Sequence, residues 1–375
     1  MLNFFESLIN LLNFIKIDNK KKDFVFFIES KFYRNHFMDL ILNLKKLGHK
    51  NIIVITLNKD DFIFFKNITN CFYINNYMLL VIFFKILNCR FMIMTLVGLG
   101  NPFQKSRFCK FYVYFFHAIA STHKIYTKTA FKNYDIILTN GEYQSKELRL
   151  AEKQFNFPKK EIINSGYFFL DNIRKVANLN IKEKRHILFA PSWNYNIKNL
   201  FDDFSIDIIS TLLAKDFIVT LRPHPEHYKR SKNIIDKVNE LFSDNKNFSL
   251  DKNISNLKSL EKAEIVITDN SSIVFEFILI FKRPIIYLDY QDKIHNIDAG
   301  KVSTRTIESE FKGMFGNKLD VKNLYELSSL CENLINDNNP SNDLSNSFEK
   351  KYLSNVNNSA SFAANYLSNK LNLIK

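Results

Sequence analysis

Residues 264–289 read EIVITDNSSIVFEFILIFKRPIIYLD, and this stretch decides the fold class. Two short apolar runs, Glu264–Asp269 and Pro284–Asp289, flank a longer apolar stretch that has the length of a helix. Runs of about four to eight residues that are apolar on both faces are typical of parallel strands covered by helices. The stretch therefore predicts a strand–helix–strand unit.

The same alternation continues along the rest of the chain, with amphipathic stretches such as Asn35–Leu47 and Asn199–Ala214 between the apolar runs. Strands that alternate with helices predict an α/β fold built on parallel sheets. The remaining predicted strands are Phe24–Ile28, Asn51–Leu57, Phe91–Leu96, Tyr112–Phe116, Asp135–Thr139, His186–Ala190 and Phe217–Arg222.

The chain has 375 residues, enough for two domains with separate cores. Residues 171–184 are polar and without periodicity, which is typical of a linker. We predict an amphipathic basic segment (1–22), an N-terminal domain (23–170), a linker (171–184), a C-terminal domain (185–340) and a C-terminal helical segment (341–375).

Glycine and cysteine usage excludes several classes of protein. The eight glycines form no GxGxxG fingerprint and none precedes a Lys-Ser/Thr pair, which excludes dinucleotide binding of the Rossmann type and P-loop NTPases. The four cysteines form no CxxC pair and no zinc-type cluster. We expect no metal and no cofactor, and thiols in a reducing compartment.

The chain is basic, with 52 Lys and Arg against 38 Asp and Glu, a formal net charge of +14. Apolar residues of 1–17 fall near helical spacing, and Lys16, Lys20, Lys21 and Lys22 follow. This pattern predicts either an interfacial helix on anionic lipid or a helix packed on the protein itself. No secretory signal is visible, and the charges within Met78–Gly100 favour a helix end and a buried strand over a membrane span. We predict a cytoplasmic protein, peripheral on the inner membrane face.

Polar residues follow the predicted strands, where open parallel sheets bind ligands. In the first half these are Glu29-Ser30-Lys31, His117 and Asn140-Gly141. In the second half they are Ser192-Trp193, Arg222 to His227, and Asp269-Asn270-Ser271-Ser272. Polar groups at this many strand ends predict the lining of a cleft.

Ser271 and Ser272 stand between a strand and a helical run, where hydroxyls and free backbone N–H groups suit a phosphate. Plain N-capping by Asp269, Asn270 or Ser272 is the alternative. No metal is needed in this interpretation, because Arg222 and His224 would neutralise a phosphate.

His224 lies between Pro223 and Pro225, which hold it on a stiff turn where it can meet a phosphate. A metal site of His224, Glu226 and His227 and a solvated structural turn are the alternatives. His117 ends an apolar strand, where desolvation suits a general base, and a hydrogen-bonded core histidine is its alternative.

These stretches resemble the CDP-glycerol glycerophosphotransferase family of teichoic-acid primases and polymerases. The resemblance covers about residues 160–300 and is carried by ILFAPSW (187–193), LRPHP (221–225), TDNSSIVFEF (268–277) and RPIIY (283–287). Gly166 with Asp171 resembles the family's Gly-x-x-x-x-Asp stretch, and His117 with Lys124 its His-Gly…Lys segment. Asn270 stands where the family usually has Tyr, and Ala118 where it usually has Gly.

The resemblance implies a GT-B fold of two facing Rossmann-like domains with a C-terminal crossover helix. It implies transfer of glycerol phosphate, or a related polyol phosphate or sugar, from a CDP-activated donor to a surface-glycan or lipid-linked acceptor, releasing CMP. His117 would deprotonate the acceptor and His224 would contact the transferred phosphoryl group. The implied donor-binding residues are Gly166, Ser192, Trp193, Arg222, Asp269, Asn270, Ser271, Ser272 and Glu276.

Other functions stay open at this point. A GT-B glycosyltransferase or epimerase acting on another nucleotide sugar fits the same architecture. A non-catalytic protein that binds an anionic polymer fits the net charge, and we rank nucleic acid below an anionic membrane surface as a partner.

Overall fold

The computed structural model describes residues 2–30, 33–195, 198–252, 257–291, 294–302, 304–337 and 342–374. The chain divides into two compact units. The first contains Met1–Ala118, Tyr126–Asn172 and Tyr352–Lys375, and the second contains Ile119–Ile125 and Ile173–Lys351. Each unit is therefore assembled from segments that are distant in the sequence.

Helices of the described residues alternate with strands in both units, as the α/β pattern predicts. They are α1 (Leu2–Lys16), α2 (Arg34–Lys46), α3 (Lys59–Lys66), α4 (Tyr77–Ile86), α5 (Thr122–Ile125), α6 (Glu142–Phe155), α7 (Phe168–Val176), α8 (Leu200–Leu213), α9 (Pro225–Arg230), α10 (Lys232–Phe242), α11 (Lys258–Lys262), α12 (Ile273–Glu276), α13 (Ile307–Phe315), α14 (Leu327–Asn336), α15 (Asn342–Tyr352) and α16 (Ser359–Asn372).

The first unit is built on a seven-stranded sheet in the order β3-β2-β1-β4-β5-β6-β7, with parallel pairing between all neighbours. Its strands are β1 (Phe24–Ile28), β2 (Ile52–Thr56), β3 (Asn70–Tyr73), β4 (Cys89–Met94), β5 (Cys109–Phe115), β6 (Ile136–Thr139) and β7 (Glu161–Asn164).

Both faces of this sheet are covered, which explains the continuous apolar runs of the central strands. Val25 and Phe27 of β1 belong to a core shared with Phe14 of α1 and Phe83 of α4. The alternate residues of β1 face a second core, to which α2 and the C-terminal helix α16 contribute. Period-two alternation thus sends neighbouring side chains of one strand into two separate cores.

The second unit contains a six-stranded sheet in the order β10-β9-β8-β11-β12-β13, again parallel throughout. Helices α8, α10 and α14 bury apolar side chains against one face of it. Its strands are β8 (His186–Phe189), β9 (Ile218–Leu221), β10 (Phe248–Leu250), β11 (Ile265–Thr268), β12 (Ile285–Asp289) and β13 (Gly316–Asp320).

Two details differ from the sequence prediction. The strands β3, β7, β10 and β13 were not predicted, and each lies at an edge of its sheet. The predicted linker 171–184 is also partly helical, because α7 runs to Val176 with Asp171 buried inside it. Within 78–100, α4 and β4 confirm the predicted helix end and buried strand.

Candidate active site

Polar side chains follow four adjacent strands of the first sheet. Glu29 comes after β1, Thr95 after β4, His117 after β5 and Asn140 after β6. Because the carboxyl ends of parallel strands meet at one edge of a sheet, these residues share that edge. Lys31, which the sequence also places there, lies outside the described residues.

The main chain at His117 is held by three side chains. His36 donates its Nε2–H to the carbonyl oxygen of His117 at 2.9 Å, and the Tyr167 hydroxyl donates to the same oxygen at 3.3 Å. Asn140 donates its Nδ2–H to the carbonyl oxygen of Ala118 at 2.8 Å. The strand end that carries His117 is therefore fixed in place without using its imidazole.

The imidazole of His117 is half-buried and lies beside aromatic rings. Its ring centroid is 4.6 Å from that of Tyr33, and its Nδ1 is buried with no hydrogen-bond partner among the described residues. Desolvation lowers the pKa of His117 to about 4, so the ring is neutral near neutral pH. A neutral imidazole is the form that accepts a proton from a hydroxyl.

Glu29 is a titrating group that the sequence placed at a strand end without a role. The Thr95 hydroxyl donates to Glu29 Oε1 at 2.7 Å, and burial raises the pKa of Glu29 to about 7. Its signal in the sequence is a carboxylate directly after a fully apolar strand.

In the second unit, the polar segments follow the adjacent strands β9, β8 and β11. Asp269, after β11, accepts hydrogen bonds from the Ser192 backbone N–H at 2.7 Å and from the Ser192 hydroxyl at 2.8 Å. Both groups are buried. Asp269 therefore fastens the loop after β8, and donor binding by Ser192 and Asp269 stays a prediction.

Ser271 and Ser272 lie between the end of β11 and the start of α12, as the sequence predicts. Ser271 is half-buried and Ser272 is exposed at the start of α12, which continues as a π-helical turn over Phe277–Phe281. The Ser272 side chain makes no capping hydrogen bond to this helix. Its hydroxyl is thus not used for the N-capping that was the alternative to phosphate binding.

Asn270 bridges two other parts of the second unit. Its Nδ2–H donates to the carbonyl oxygen of Gln291 at 2.7 Å, and its Oδ1 accepts from Lys312 Nζ at 2.8 Å. The amide side chain therefore brings a lysine of α13 to the end of β11.

Arg222 is buried at the end of β9, and nearby acidic side chains partly neutralise its positive charge. Its guanidinium donates to the Ser259 hydroxyl at 3.1 Å and lies 4.0 Å from Asp251. Desolvation lowers the pKa of Arg222, while the charges of Asp251 and Glu276 raise it. Glu276, also buried, thus acts on Arg222 electrostatically.

His224 is half-buried at the N-cap position of α9. Its Nδ1 accepts a hydrogen bond from the Glu226 backbone N–H at 3.2 Å. The neutral ring must then carry its proton on Nε2, because an accepting nitrogen holds none. His224 can therefore donate a hydrogen bond through Nε2, as a phosphate oxygen requires.

His227 and Trp193 form a buried support next to His224. The His227 ring packs 4.9 Å from the Trp193 ring and 4.4 Å from the Phe201 ring, and its Nε2 donates to the Ser192 carbonyl oxygen at 3.2 Å. Desolvation lowers the pKa of His227. Trp193 is buried as well, so its large ring serves packing.

The proposed metal set of His224, Glu226 and His227 is not assembled. Glu226 pairs with Lys229 at 2.6 Å and with Arg230 at 3.2 Å, while each histidine bonds elsewhere. Over the described ranges, no group of three or more His, Cys, Asp or Glu side chains is arranged to hold a metal ion.

Gly166 makes its contacts within the first unit. Its φ of +98° belongs to the left-handed region, and an added Cβ would meet the Ser354 carbonyl oxygen and the Ser359 side chain. Asp171 accepts from the backbone N–H groups of Asn357 at 2.7 Å and Ser359 at 2.9 Å. The Gly-x-x-x-x-Asp stretch therefore fastens the C-terminal segment, and donor binding by Gly166 stays a prediction.

Comparison with known proteins gives matches in sequence and in fold. A teichoic acid glycerol-phosphate primase of Bacillus subtilis (strain 168) is 26% identical over 189 residues, 47% of each chain, so the match spans about half the length of that relative. The wall teichoic acid polymerase TagF superposes with a TM-score of 0.59 at 16% identity, covering 99% of this chain and 98% of that chain. A UDP-GlcNAc 2-epimerase of Methanocaldococcus jannaschii superposes with a TM-score of 0.61 at 15% identity, covering 92% of this chain and 99% of that chain.

These structural likenesses confirm the α/β GT-B fold that the resemblance implied. The family model described as CDP-Glycerol:Poly(glycerophosphate) glycerophosphotransferase matches residues 117–361, from the predicted base to the helix α16. Because this match covers more than half of the chain and includes His117, the strand-end segments and the C-terminal return, the protein belongs to the CDP-glycerol:poly(glycerophosphate) glycerophosphotransferase family.

Proposed function

We propose that the protein transfers glycerol phosphate, or a related polyol phosphate, from a CDP-activated donor to a hydroxyl of a surface-glycan or lipid-linked acceptor, and releases CMP. The observation that carries the proposal is the group of side chains that follow β9 and β11, the two strands on either side of β8 in the second sheet. There, Arg222, the Nε2–H of His224 and the hydroxyls of Ser271 and Ser272 offer positive charge and donors to a phosphate.

His117 of the first unit is the proposed base. Its Nδ1 is buried, so we assign the ring proton to Nδ1 and proton acceptance to Nε2. The acceptor hydroxyl passes its proton to Nε2, and its oxygen forms a bond to the phosphorus of the glycerol phosphate. The bond from that phosphorus to the CMP oxygen breaks, and CMP leaves with the electron pair.

The groups of the second unit stabilise the charge that develops on the phosphates. His224 donates through Nε2 to an oxygen of the transferred phosphoryl group, and the buried charge of Arg222 stabilises the departing CMP. Glu276 would accept a hydrogen bond from a ribose or glycerol hydroxyl. The nucleotide donor enters as a substrate, and this proposal includes no further cofactor.

The test is CMP release from CDP-glycerol with a lipid-linked or oligosaccharide acceptor. We expect His117→Ala and His224→Ala to lower kcat by about 10²–10⁴, the usual range for a lost proton-transfer or donor group. His49→Ala is the matched control, because His49 lies before β2 at the other end of the first sheet and should leave kcat unchanged.

Other outcomes would contradict the proposal. Failure to release any nucleotide from CDP-glycerol, CDP-ribitol or UDP-sugars would overturn it. Conversion of a UDP-sugar without an acceptor would instead indicate an epimerase. Unchanged turnover in both His117→Ala and His224→Ala would contradict the roles assigned to these two histidines.

We also propose that the protein works on the inner face of the cell membrane, held by a surface of α1 and α4. Phe5 and Ile9 of α1 and Met78 of α4 are each more than half exposed, at 56%, 57% and 68%. The other side of α1, including Leu11 and Phe14, is buried in the first unit. None of the helices in the described ranges is long and apolar enough to span a membrane.

Basic residues flank this α1–α4 surface. Lys16 ends α1, Lys20 and Lys21 follow it, and Lys85 lies near the end of α4; all are exposed. Apolar side chains edged by lysines suit an interface of anionic lipid, where burial and charge attraction act together. One side of α1 thus packs on the protein itself, and the exposed side is the one that we propose for lipid.

A further inference from the structure

Within the described residues, the imidazole of His117 lacks the hydrogen bond that usually orients a histidine in proton transfer. Its Nδ1 is buried and has no partner there. In most acid–base sites, the ring nitrogen that does not react donates to a carboxylate or to a backbone carbonyl, and this bond sets the direction of the ring. The orientation of the His117 ring must therefore come from contacts of another kind.

The bonds that hold the main chain at His117 do not supply this orientation. His36 and Tyr167 both donate to the carbonyl oxygen of His117. That oxygen is separated from the imidazole by the rotatable side-chain bonds χ1 and χ2, so fixing the carbonyl leaves the ring free to turn. The direction of the ring then depends on the side chains that pack against it.

Tyr33 makes the close ring contact with His117. The two ring centroids are 4.6 Å apart and the ring planes are inclined by 43°. The His36 ring is farther from His117, with centroids 6.2 Å apart and planes at 81°. Both separations lie within the range of attractive ring pairs, roughly 4.5–7 Å. The imidazole is thus bordered by two aromatic rings, of which Tyr33 is the nearer.

The fold places Tyr33 over His117 from a different part of the sheet. Tyr33 lies in the loop after β1, directly before α2, and its backbone N–H donates to the Ser30 carbonyl oxygen at 3.0 Å. Its ring also packs edge-on against His36, with centroids 5.8 Å apart, and against the core shared by α2 and α16. Because β4 separates β1 from β5, the contact joins two strand ends that are not neighbours, which requires a long side chain.

The titrating groups around His117 leave its ring without a charged partner near neutral pH. His36 faces it from α2 and stays neutral, because burial lowers the pKa of His36 to about 3. Tyr167 bonds only to its carbonyl oxygen. Glu29, after β1 on the same edge of the sheet, has a pKa raised to about 7 by burial. Packing is therefore the interaction that remains to hold the imidazole.

We propose that Tyr33 is a positioning residue for His117, and that its ring replaces the carboxylate that orients the histidine of other acid–base sites. The Tyr33 ring restricts rotation of the imidazole and excludes water from one side of it. The proposal rests on the function proposed above only for the role of His117 as a base. The effect of Tyr33 on the imidazole itself does not depend on that function.

The first experiment measures the pKa of His117 by NMR in the full-length protein, with His117→Gln identifying its signal among the eight histidines. Tyr33→Ala admits water to the imidazole, so the pKa should rise from about 4 toward the ordinary value of about 6.5. Tyr33→Leu keeps apolar bulk without the ring, and its His117 pKa should lie between these values. Tyr33→Phe restores the ring and should recover the wild-type pKa.

The second experiment measures CMP release from CDP-glycerol as a function of pH. Tyr33→Leu should lower kcat by about tenfold to a hundredfold, the usual cost of a displaced catalytic group, with the acceptor KM unchanged. The pH below which kcat/KM falls should rise with the pKa of His117, because the base must be neutral. Glu29→Gln in each background identifies any change near pH 7 that belongs to Glu29. Tyr325→Ala is the matched control, since Tyr325 is 75% exposed in the second unit.

The outcomes separate this proposal from the proposed function. Wild-type kcat and an unchanged His117 pKa in both Tyr33→Leu and Tyr33→Ala would overturn the positioning role. A raised acceptor KM with unchanged kcat would also overturn it, because Tyr33 would then bind the acceptor. A raised His117 pKa in Tyr33→Ala, in a protein that releases no CMP from CDP-glycerol, would overturn the proposed function and leave the contact between Tyr33 and the imidazole established.

Discussion

Two histidines of the first unit have imidazoles that folding keeps neutral. The ring of His36 stacks on Phe169 with centroids 4.3 Å apart, and its pKa is lowered to about 3, mainly by desolvation and then by the charge of His117. Desolvation also lowers the pKa of His117 to about 4. The ordinary pKa of histidine is about 6.5. Between pH 6.5 and 4, these histidines therefore bind protons in the unfolded chain but stay neutral in the folded chain.

We therefore predict that these two histidines reduce stability as the pH falls. Each folded pKa lies below its unfolded value, so the stability they contribute is present above pH 6.5 and is lost as the pH falls toward 4 and 3. His36→Phe keeps an aromatic ring on Phe169 and removes one titrating group. The loss of stability between pH 6.5 and 4, measured by urea unfolding, should be smaller in this variant.

Glu29→Gln is a control that should change the pH dependence of stability in the opposite direction to His36→Phe. The folded pKa of Glu29 is raised to about 7, so its contribution is present at low pH and is lost as the pH rises through 7. Removing it should enlarge the loss of stability on acidification. Equal pH dependence in wild type and His36→Phe would contradict the assignment.

At the scale of elements, the C-terminal helix α16 completes the first unit. Ala363, Ala364 and Leu367 are buried in the core shared with α2 and β1. The start of α16 is held by Asp171, a buried carboxylate that accepts two backbone N–H groups and the Ser359 hydroxyl. One carboxylate thus joins α7 to α16 across a large separation in sequence.

We predict that Asp171→Asn destabilises the protein by about 1–3 kcal/mol, because an amide replaces the carboxylate in buried charged hydrogen bonds. Urea unfolding at neutral pH measures the change. Asp320→Asn is the matched control, since Asp320 accepts a single backbone N–H from Lys322 at an exposed turn. Equal unfolding midpoints for the Asp171 variant and wild type would contradict the anchoring role.

The elements that could be predicted from sequence are those buried on both sides. The central strands are mostly apolar and buried, whereas β7 is only half-buried and β13 is mostly exposed. An edge strand packs against one neighbour and needs fewer apolar residues, so its pattern resembles a loop.

Only part of the candidate site could be predicted from the sequence. Strand ends in the sequence located His117, His224, Ser271 and Ser272. The role of Asp269 was not predictable, because its partner Ser192 is 77 residues away. The contacts of Gly166 were not predictable for the same reason, since its neighbours Ser354 and Ser359 belong to a distant segment that only folding brings close.

At the scale of the whole molecule, the +14 charge and the α1–α4 surface are the two features on which the proposed lipid binding depends. We predict that the protein sediments with vesicles containing phosphatidylglycerol and less with vesicles of phosphatidylcholine. Ile9→Asp and Met78→Asp should each weaken the binding by about tenfold or more, since burying one such side chain is worth about 1.5–3 kcal/mol.

Ile63→Asp is the control, because Ile63 is 64% exposed on α3, outside the α1–α4 surface. Binding to anionic vesicles that is insensitive to both substitutions but falls steeply with salt would contradict the proposed surface. That result would favour a general attraction of polyanions to the basic chain.

The segmental assembly of the two units limits how this protein can be divided or recombined. The chain passes between units at 118–119, 125–126, 172–173 and 351–352. A second half expressed from residue 173 onward would lack Ser121, which bonds to Glu308 and to the backbone N–H of Ile307 at the start of α13. A first half that stops at 172 would lack α16 and leave one side of its core open. A chimera that exchanges one unit between relatives must therefore carry every segment of that unit together, so a single crossover point does not yield an interchangeable module.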